Sequence, residues 1–337
     1  MVDGHTGRWC GTLWQVREHD IRAEDGTRIR VWRSGETGRD VLLCPGLGTM
    51  PEAWPYLTRP NAGDWLRVHG WYHRGTLGSA RPADPRRIRL SDHVADAMAV
   101  LDAAEIERAV VMGWSVGVAV AAELASRYPD RVSGLLLVAG APGDPFAGMF
   151  GILGVPPVIR RVLAAGATRL VRDAGPLLNA VARRVPVNAA TVSVVRHSGV
   201  MRPGGATMDV VAAGRRFLTH DWGWYGQLAL SLAAAPMPDL AKVCCPVTAL
   251  AGRYDLLADP RHVAATMGPL PQARVRVLPT SHFLPLEAPD ELADELRLLI
   301  ERADAVLAAA RWHRRAVPSP RSAPDEARSL SRTSRPG

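Results

Sequence analysis

Ala109-Val110-Val111-Met112-Gly113-Trp114-Ser115-Val116-Gly117 decides how the rest of the chain is read. Its first four residues are apolar without alternation, the pattern of a short strand buried on both faces. From Val118 to Tyr128 small apolar residues run at helical length, and Pro129 stands just beyond, where a helix stops. The five residues between, Gly113-Trp114-Ser115-Val116-Gly117, fit a strand-to-helix turn so sharp that only small residues can flank the serine. Such a turn lifts a hydroxyl out of the sheet and aims it at a helix N-terminus, where N–H groups meet negative charge. The bare G-x-S-x-G pattern is common; the strand before it and the helix after it make it specific.

Working outward, the chain alternates. Leu13 to Arg22 and Thr27 to Arg33 read as two strands joined at Asp25-Gly26. Asp40 to Cys44 is a third strand, halted at Pro45-Gly46-Leu47-Gly48; Pro51 to Leu57 suits a short helix, and Trp65 to Tyr72 is a fourth strand. Asp92 to Glu105 is amphipathic at spacings of three and four, and Arg131 to Ala139 is another buried strand. Strands apolar on both faces, alternating with helices, predict a parallel sheet sandwiched by helices. The rhythm then breaks. From Phe146 to Leu240 six helical stretches follow without a buried strand, including Pro157 to Ala164 and Ala167 to Arg172 as separate pieces. So much helix is too long for a loop and suits a cap over the sheet edge. Strands resume at Pro246 to Ala251 and Ala273 to Leu278, and Pro289 to Ala310 closes the chain as a helix. The expected organisation is a flexible N-terminus over 1–12, a core over 13–143 and 241–311, a cap over 144–240, and a disordered Arg/Pro/Ser-rich tail over 312–337.

With 337 residues and 47% apolar composition, the chain has material for a sizeable core. The net charge of +8 looks like a nucleic-acid signal until it is located. Residues 311–337 carry seven arginines and two acids, so the folded part is nearly balanced and no nucleic-acid partner is expected. No run of 18 uncharged apolar residues occurs, so no membrane insertion is expected. The first 17 residues lack an apolar signal core, and Cys10, Cys44, Cys244 and Cys245 lack metal-ligand spacing. Reduced thiols in a cytoplasmic protein are the expectation.

A serine hydroxyl attacks only when a base takes its proton, and the base must be oriented by a carboxylate on its other nitrogen. Two later strands end in suitable residues: Val247 to Ala251 runs into Gly252-Arg253-Tyr254-Asp255, and Val275 to Leu278 into Thr280-Ser281-His282-Phe283. Ser115, Asp255 and His282 therefore emerge on one sheet edge in the order nucleophile, acid, base. Asp144, after the preceding strand, is the competing acid, and Asp259 a weaker one. The oxyanion needs two backbone donors, expected from Val116 and from Leu47 in the loop after the third strand.

With these residues in hand, the chain resembles the α/β-hydrolase superfamily, in its capped esterase, lactonase and haloperoxidase-like branch, over roughly residues 20–305. The resemblance rests on the elbow at 113–117, the Gly252-Arg253-Tyr254-Asp255 turn, and Ser281-His282-Phe283-Leu284-Pro285-Leu286-Glu287-Ala288-Pro289. It implies a mostly parallel eight-stranded sheet with a helical cap inserted after strand six, and no cofactor. Relatives that open epoxides or cleave haloalkanes carry aspartate where this chain has Ser115. Two departures stand out. Pro45-Gly46 replaces the usual His-Gly, removing side-chain support from the oxyanion loop, and Tyr72-His73-Arg74-Gly75 replaces D-x-R-G, leaving Arg74 to brace that segment.

The cap segment is rich in Met, Leu, Val and Ala, with Phe146, Phe150, Phe217, Trp222, Trp224 and Tyr225, which suits a small, mostly apolar ester-type substrate. Trp114, Trp222, Trp224 and Phe283 are the pocket candidates; Arg196, His197, Arg215 and His220 are the candidates for binding a carboxylate. The expected activity is a serine hydrolase acting on a carboxylic ester, lactone or thioester through an acyl-enzyme. Acyl transfer to another acceptor, perhydrolysis, or a non-catalytic small-ligand receptor on the same fold are the alternatives.

Overall fold

The computed structural model describes residues 16–58 and 65–316. The expectations for residues 1–12 and for most of the tail lie outside the described residues. Eight strands, β1 (Val16–Arg22), β2 (Arg28–Ser34), β3 (Arg39–Cys44), β4 (Leu66–Trp71), β5 (Ala109–Trp114), β6 (Val132–Val138), β7 (Val247–Gly252) and β8 (Ala273–Leu278), form one sheet in the order β1-β2-β4-β3-β5-β6-β7-β8. β2 pairs antiparallel with β1 and with β4; every other pairing is parallel.

Eleven helices accompany the sheet among the described residues: α1 (Pro55–Thr58), α2 (Leu90–Ala103), α3 (Gly117–Arg127), α4 (Pro157–Asp173), α5 (Gly175–Ala182), α6 (Ala189–His197), α7 (Thr207–Phe217), α8 (Trp222–Ala233), α9 (Pro260–Met267), α10 (Leu284–Glu287) and α11 (Pro289–Ala316). β5 explains why the central strands read as unbroken apolar runs. Ala109 and Val111 pack with Val94 of α2 and Val118 and Leu124 of α3. Val110 and Met112 point the other way, into Leu292, Leu296 and Leu299 of α11. Each such fully buried Val or Leu contributes about 1.5–3 kcal/mol of transfer free energy, which sets the strand register.

Helices α4 to α8 lie between β6 and β7, as a helical insertion without a strand among the described residues. Two boundaries differ from expectation. The pieces predicted at 157–164 and 167–172 are one helix, α4, because Gly166 faces open space and a lone glycine costs a helix only about 1 kcal/mol. The closing helix runs to Ala316 and takes in the first positions assigned to the tail. Ala and Arg, which dominate residues 308–316, are strong helix formers. The parallel register brings the C-terminal ends of β3, β5, β6, β7 and β8 to one edge, the position where ligands bind in open α/β sheets.

Candidate active site

Ser115 sits at φ +56°, a left-handed conformation unusual for a side chain with a Cβ. Its N–H donates to the Val138 carbonyl at 2.9 Å, which anchors the turn to the neighbouring strand. The flanking glycines are steric requirements. A Cβ on Gly113 would lie 2.5 Å from the Gly117 carbonyl oxygen, and one on Gly117 would lie 2.3 Å from that of Cys44. The hydroxyl thus stands clear of the sheet, at the start of a helix whose first turn has no side-chain cap.

Ser115 Oγ lies 2.9 Å from His282 Nε2, and His282 Nδ1 lies 2.9 Å from Asp255 Oδ2. Asp255 is fully buried, and its Oδ1 accepts the N–H groups of Leu257 at 2.7 Å and Ala258 at 2.8 Å. The carboxylate therefore demands a proton on Nδ1, leaving the Nε2 lone pair for the serine hydroxyl. The loop carrying His282 is tied from both sides. Glu287 reaches back to accept the Ser281 N–H at 2.7 Å and its hydroxyl at 2.6 Å, and Trp114 Nε1–H donates to the His282 carbonyl at 3.1 Å.

Neither Val116 nor Leu47 donates its N–H to another backbone group among the described residues. The two segments are in contact. A Cβ on Gly46 would meet the Trp114 ring at 2.9 Å, and Gly117 abuts the Pro45 carbonyl. Side-chain support for this loop, expected to be lost with Pro45, comes from elsewhere. His73 Nε2–H donates to the Pro45 carbonyl at 3.1 Å, and His73 Nδ1 lies 3.3 Å from Nδ1 of buried His93. One proton arrangement fits: His93 Nδ1–H donates to His73 Nδ1, and His73 Nε2–H donates to the loop. Arg74, expected to brace this segment, is 1% exposed and binds elsewhere: Asp96 grips its guanidinium at 2.9 and 2.8 Å, and it donates to the Arg87 carbonyl at 3.0 Å.

Burial pushes the His73 imidazole down to about 4 and His93 well below its ordinary value, so both rings stay neutral in the fold. In the unfolded chain they titrate near 6.5, so the unfolded state binds more protons as pH falls from about 6.5 to 4. Stability is full above that window and declines through it, with roughly 3 kcal/mol expected from His73 alone. Melting temperatures measured at pH 7.5, 5.5 and 4.5 will fall in that order, and His73→Phe will flatten the trend. The same variant leaves the Pro45 carbonyl unpaired and frees the loop. A kcat about 10-fold lower with KM little changed is expected, a fraction of the ~10²–10³ seen when a whole oxyanion donor is removed.

The competing acids are used elsewhere. Asp144 caps the turn at Phe146, whose N–H it accepts at 2.8 Å, and pairs with Arg161 of α4 at 2.7 Å. Asp259 caps α9 through the Arg261 N–H at 2.9 Å. A cavity of about 20 Å³ touches both Ser115 and His282, with Ala139, Gly140, Ala141, Asp144, Leu257 and His262 in its wall. None of the four aromatic pocket candidates lines it. Trp114 packs edge-on against Trp54 at 5.8 Å and beside His282 at 5.6 Å. Trp222 stacks within the insertion, 5.3 Å from both Phe217 and Tyr225. Trp224 Nε1–H donates to the Arg74 carbonyl at 2.7 Å, directly over Gly75, and the Phe283 ring stands 6.1 Å from His282.

The carboxylate-binding candidates serve the insertion's own backbone. Arg196 donates to Gly204, Arg215 to Val187 and His220 Nδ1 to Phe217, while His197 Nδ1 lies 2.7 Å from the Ser193 carbonyl. His262 escaped notice because a histidine one turn into α9 carries no sequence signal; burial, then Arg160, lowers its pKa. Arg216 was also missed. From α7 it reaches Glu52 at 2.8 Å, the Tyr72 hydroxyl at 2.7 Å and Glu18 at 3.1 Å, joining the insertion to the segment after the oxyanion loop. Among the described residues no group of three His, Cys, Asp or Glu side chains could hold a metal ion.

The sequence profile described as "alpha/beta hydrolase fold" matches residues 41–289, most of the chain and all of this constellation. The chain is an α/β hydrolase. Among curated proteins, this hydrolase is 37% identical over 120 residues to 2-hydroxymuconate semialdehyde hydrolase of Pseudomonas sp. strain CF600, covering 34% of this chain and 41% of that protein. It is 32% identical over 142 residues to pimeloyl-(acyl-carrier protein) methyl ester esterase of Vibrio campbellii, covering 42% and 51%. The matches thus span about half or less of those relatives. Among solved structures, the enol-lactonase of Burkholderia xenovorans LB400 superimposes with a TM-score of 0.61 at 20% identity, covering 84% of this hydrolase and 100% of that chain. That likeness is one of fold.

Proposed function

We propose that this α/β hydrolase is a cofactor-free serine hydrolase that cleaves a carboxylic ester, lactone or thioester through an acyl-enzyme. The observation carrying the proposal is the unbroken line from Ser115 Oγ to His282 Nε2, and from His282 Nδ1 to buried Asp255, each 2.9 Å long. Ser115 Oγ attacks the substrate carbonyl carbon while its proton passes to His282 Nε2. Asp255 stabilises the imidazolium so formed. The Leu47 and Val116 N–H groups receive the oxyanion, and the proton then goes from His282 to the leaving oxygen or sulfur. Water, deprotonated by His282, releases the acid and restores Ser115.

The helical insertion acts as a cap in this scheme. The apolar side chains of Ala139, Ala141, Leu257 and Ala258 beside Ser115 support a mostly apolar substrate, though the cavity they wall, about 20 Å³, has room for only about one water. The methyl ester esterase relative supports carbonyl–oxygen cleavage as the reaction, and the cytoplasm is the proposed setting. The test is a panel of p-nitrophenyl esters of increasing chain length beside lactones, run with a fluorophosphonate label. Turnover and labelling of the wild-type chain are expected. A folded wild-type chain that neither turns over nor takes the label overturns the proposal.

A further inference from the structure

The insertion turns an aliphatic face outward. In α4 the inner side, with Ala164 and Arg160, is buried, and the opposite side carries Ile159, Val162, Leu163 and Leu170. Leu177 and Val181 of α5 continue it, and all six are between 50% and 68% exposed. An amphipathic helix normally packs its apolar stripe inward; α4 presents large aliphatic side chains to the outside.

Two further observations say what covers this face. The first is charge: residues 157–184 hold six arginines and one acid, Asp173. Arg169 and Arg183 have no carboxylate partner among the described residues. The second is composition: residues 151–216 contain no Phe, Tyr or Trp. Protein interfaces are anchored by aromatic residues seated in complementary pockets. A row of aliphatic side chains beside free guanidinium groups needs no such pocket and suits a fluid, anionic surface. No single helix among the described residues is long and apolar enough to cross a membrane. The one apolar helix pair of such length among the described residues, Pro145–Leu153 with Pro157–Asp173, is bent by 111°.

We infer that the α4–α5 face docks on an anionic lipid surface, with Ile159, Val162, Leu163 and Leu170 in the acyl boundary and Arg169 and Arg183 among the phosphates. The inference stands apart from the esterase proposal, since docking is measured without turnover.

The full-length chain is floated with vesicles of phosphatidylglycerol or of phosphatidylcholine, at 50 and 500 mM salt. Binding to phosphatidylglycerol at least 10-fold above phosphatidylcholine is expected, weakened by salt. Ile159→Glu with Leu163→Glu will reduce it at least 10-fold, and Arg169→Ala with Arg183→Ala several-fold. Because these side chains are exposed, melting temperatures will stay within about 2 °C of wild type, the range of surface substitutions. Absence of flotation with both lipids overturns the inference. So does binding that survives the double glutamate variant but is lost in the full chain bearing Arg328→Glu, Arg332→Glu and Arg335→Glu. A wild-type dimer that the double glutamate variant converts to monomer assigns the face to a second copy instead.

Discussion

Replacing Ser115 by alanine will lower kcat/KM for the best ester by about 10⁴- to 10⁶-fold and abolish fluorophosphonate labelling, with the fold intact. The size follows from the geometry: the hydroxyl that His282 Nε2 meets is that of Ser115, at 2.9 Å. His282→Ala will cost a similar factor, because an unassisted hydroxyl holds its proton as the bond to carbon forms. The double variant will be no worse than either single one, since the two groups act as a unit. Single-turnover rates on a p-nitrophenyl ester measure all three. Additive losses, or label retained by Ser115→Ala, would place the nucleophile elsewhere. Melting temperature is the control. Alanine relaxes none of the φ +56° strain at residue 115 and removes no contact that anchors the turn.

Asp255→Asn will cost about 10⁴-fold in kcat while leaving the chain folded. The new amide cannot orient freely. The Leu257 and Ala258 N–H groups, at 2.7 and 2.8 Å, require an acceptor at the Oδ1 position. The amide oxygen must therefore stay there, which turns the NH₂ group toward His282 Nδ1. That donor forces the imidazole proton onto Nε2, facing the serine hydroxyl, and the base has no lone pair to offer. Asp144→Asn, by contrast, will change kcat by less than about 3-fold, because Asp144 faces Arg161 and the Phe146 N–H. Should Asp144→Asn prove the more damaging of the two, the acid has been misassigned.

The three proposed catalytic side chains were legible because the sheet translates sequence order into position. Each lies within four residues of the end of a parallel strand, and parallel strand ends share an edge. What was not legible depends on contacts between loops distant in sequence. The support that Pro45 cannot give comes from His73, 28 residues later, and nothing in Tyr72-His73-Arg74-Gly75 announces where that imidazole points. The same holds for Arg216, whose partners Glu18, Glu52 and Tyr72 come from three separate segments. Aromatic residues drew attention as pocket walls because they are large. The cavity wall beside Ser115 is made by small residues, Ala139, Gly140 and Ala141, at the end of β6. In α4 the period was readable but its direction was not, since a helical stripe looks the same whether it faces a core or a bilayer.

The two halves of the insertion are fastened in different ways. Val210, Val211 and Ala213 of α7, with Val192 of α6, share one apolar cluster with Met50, Trp54 and Leu284 of the sheet domain. Parting that seam exposes hydrocarbon to water at about 25 cal/mol per Å². At the α4 side the ties include two ion pairs, Arg161 with Asp144 and Arg160 reaching Asp259 at 4.0 Å. Salt weakens the half-exposed Arg161 pair, whereas the nearly buried Arg160–Asp259 pair is screened far less. The helix that bears the aliphatic face is thus pinned by charge to the loops walling the cavity beside Ser115.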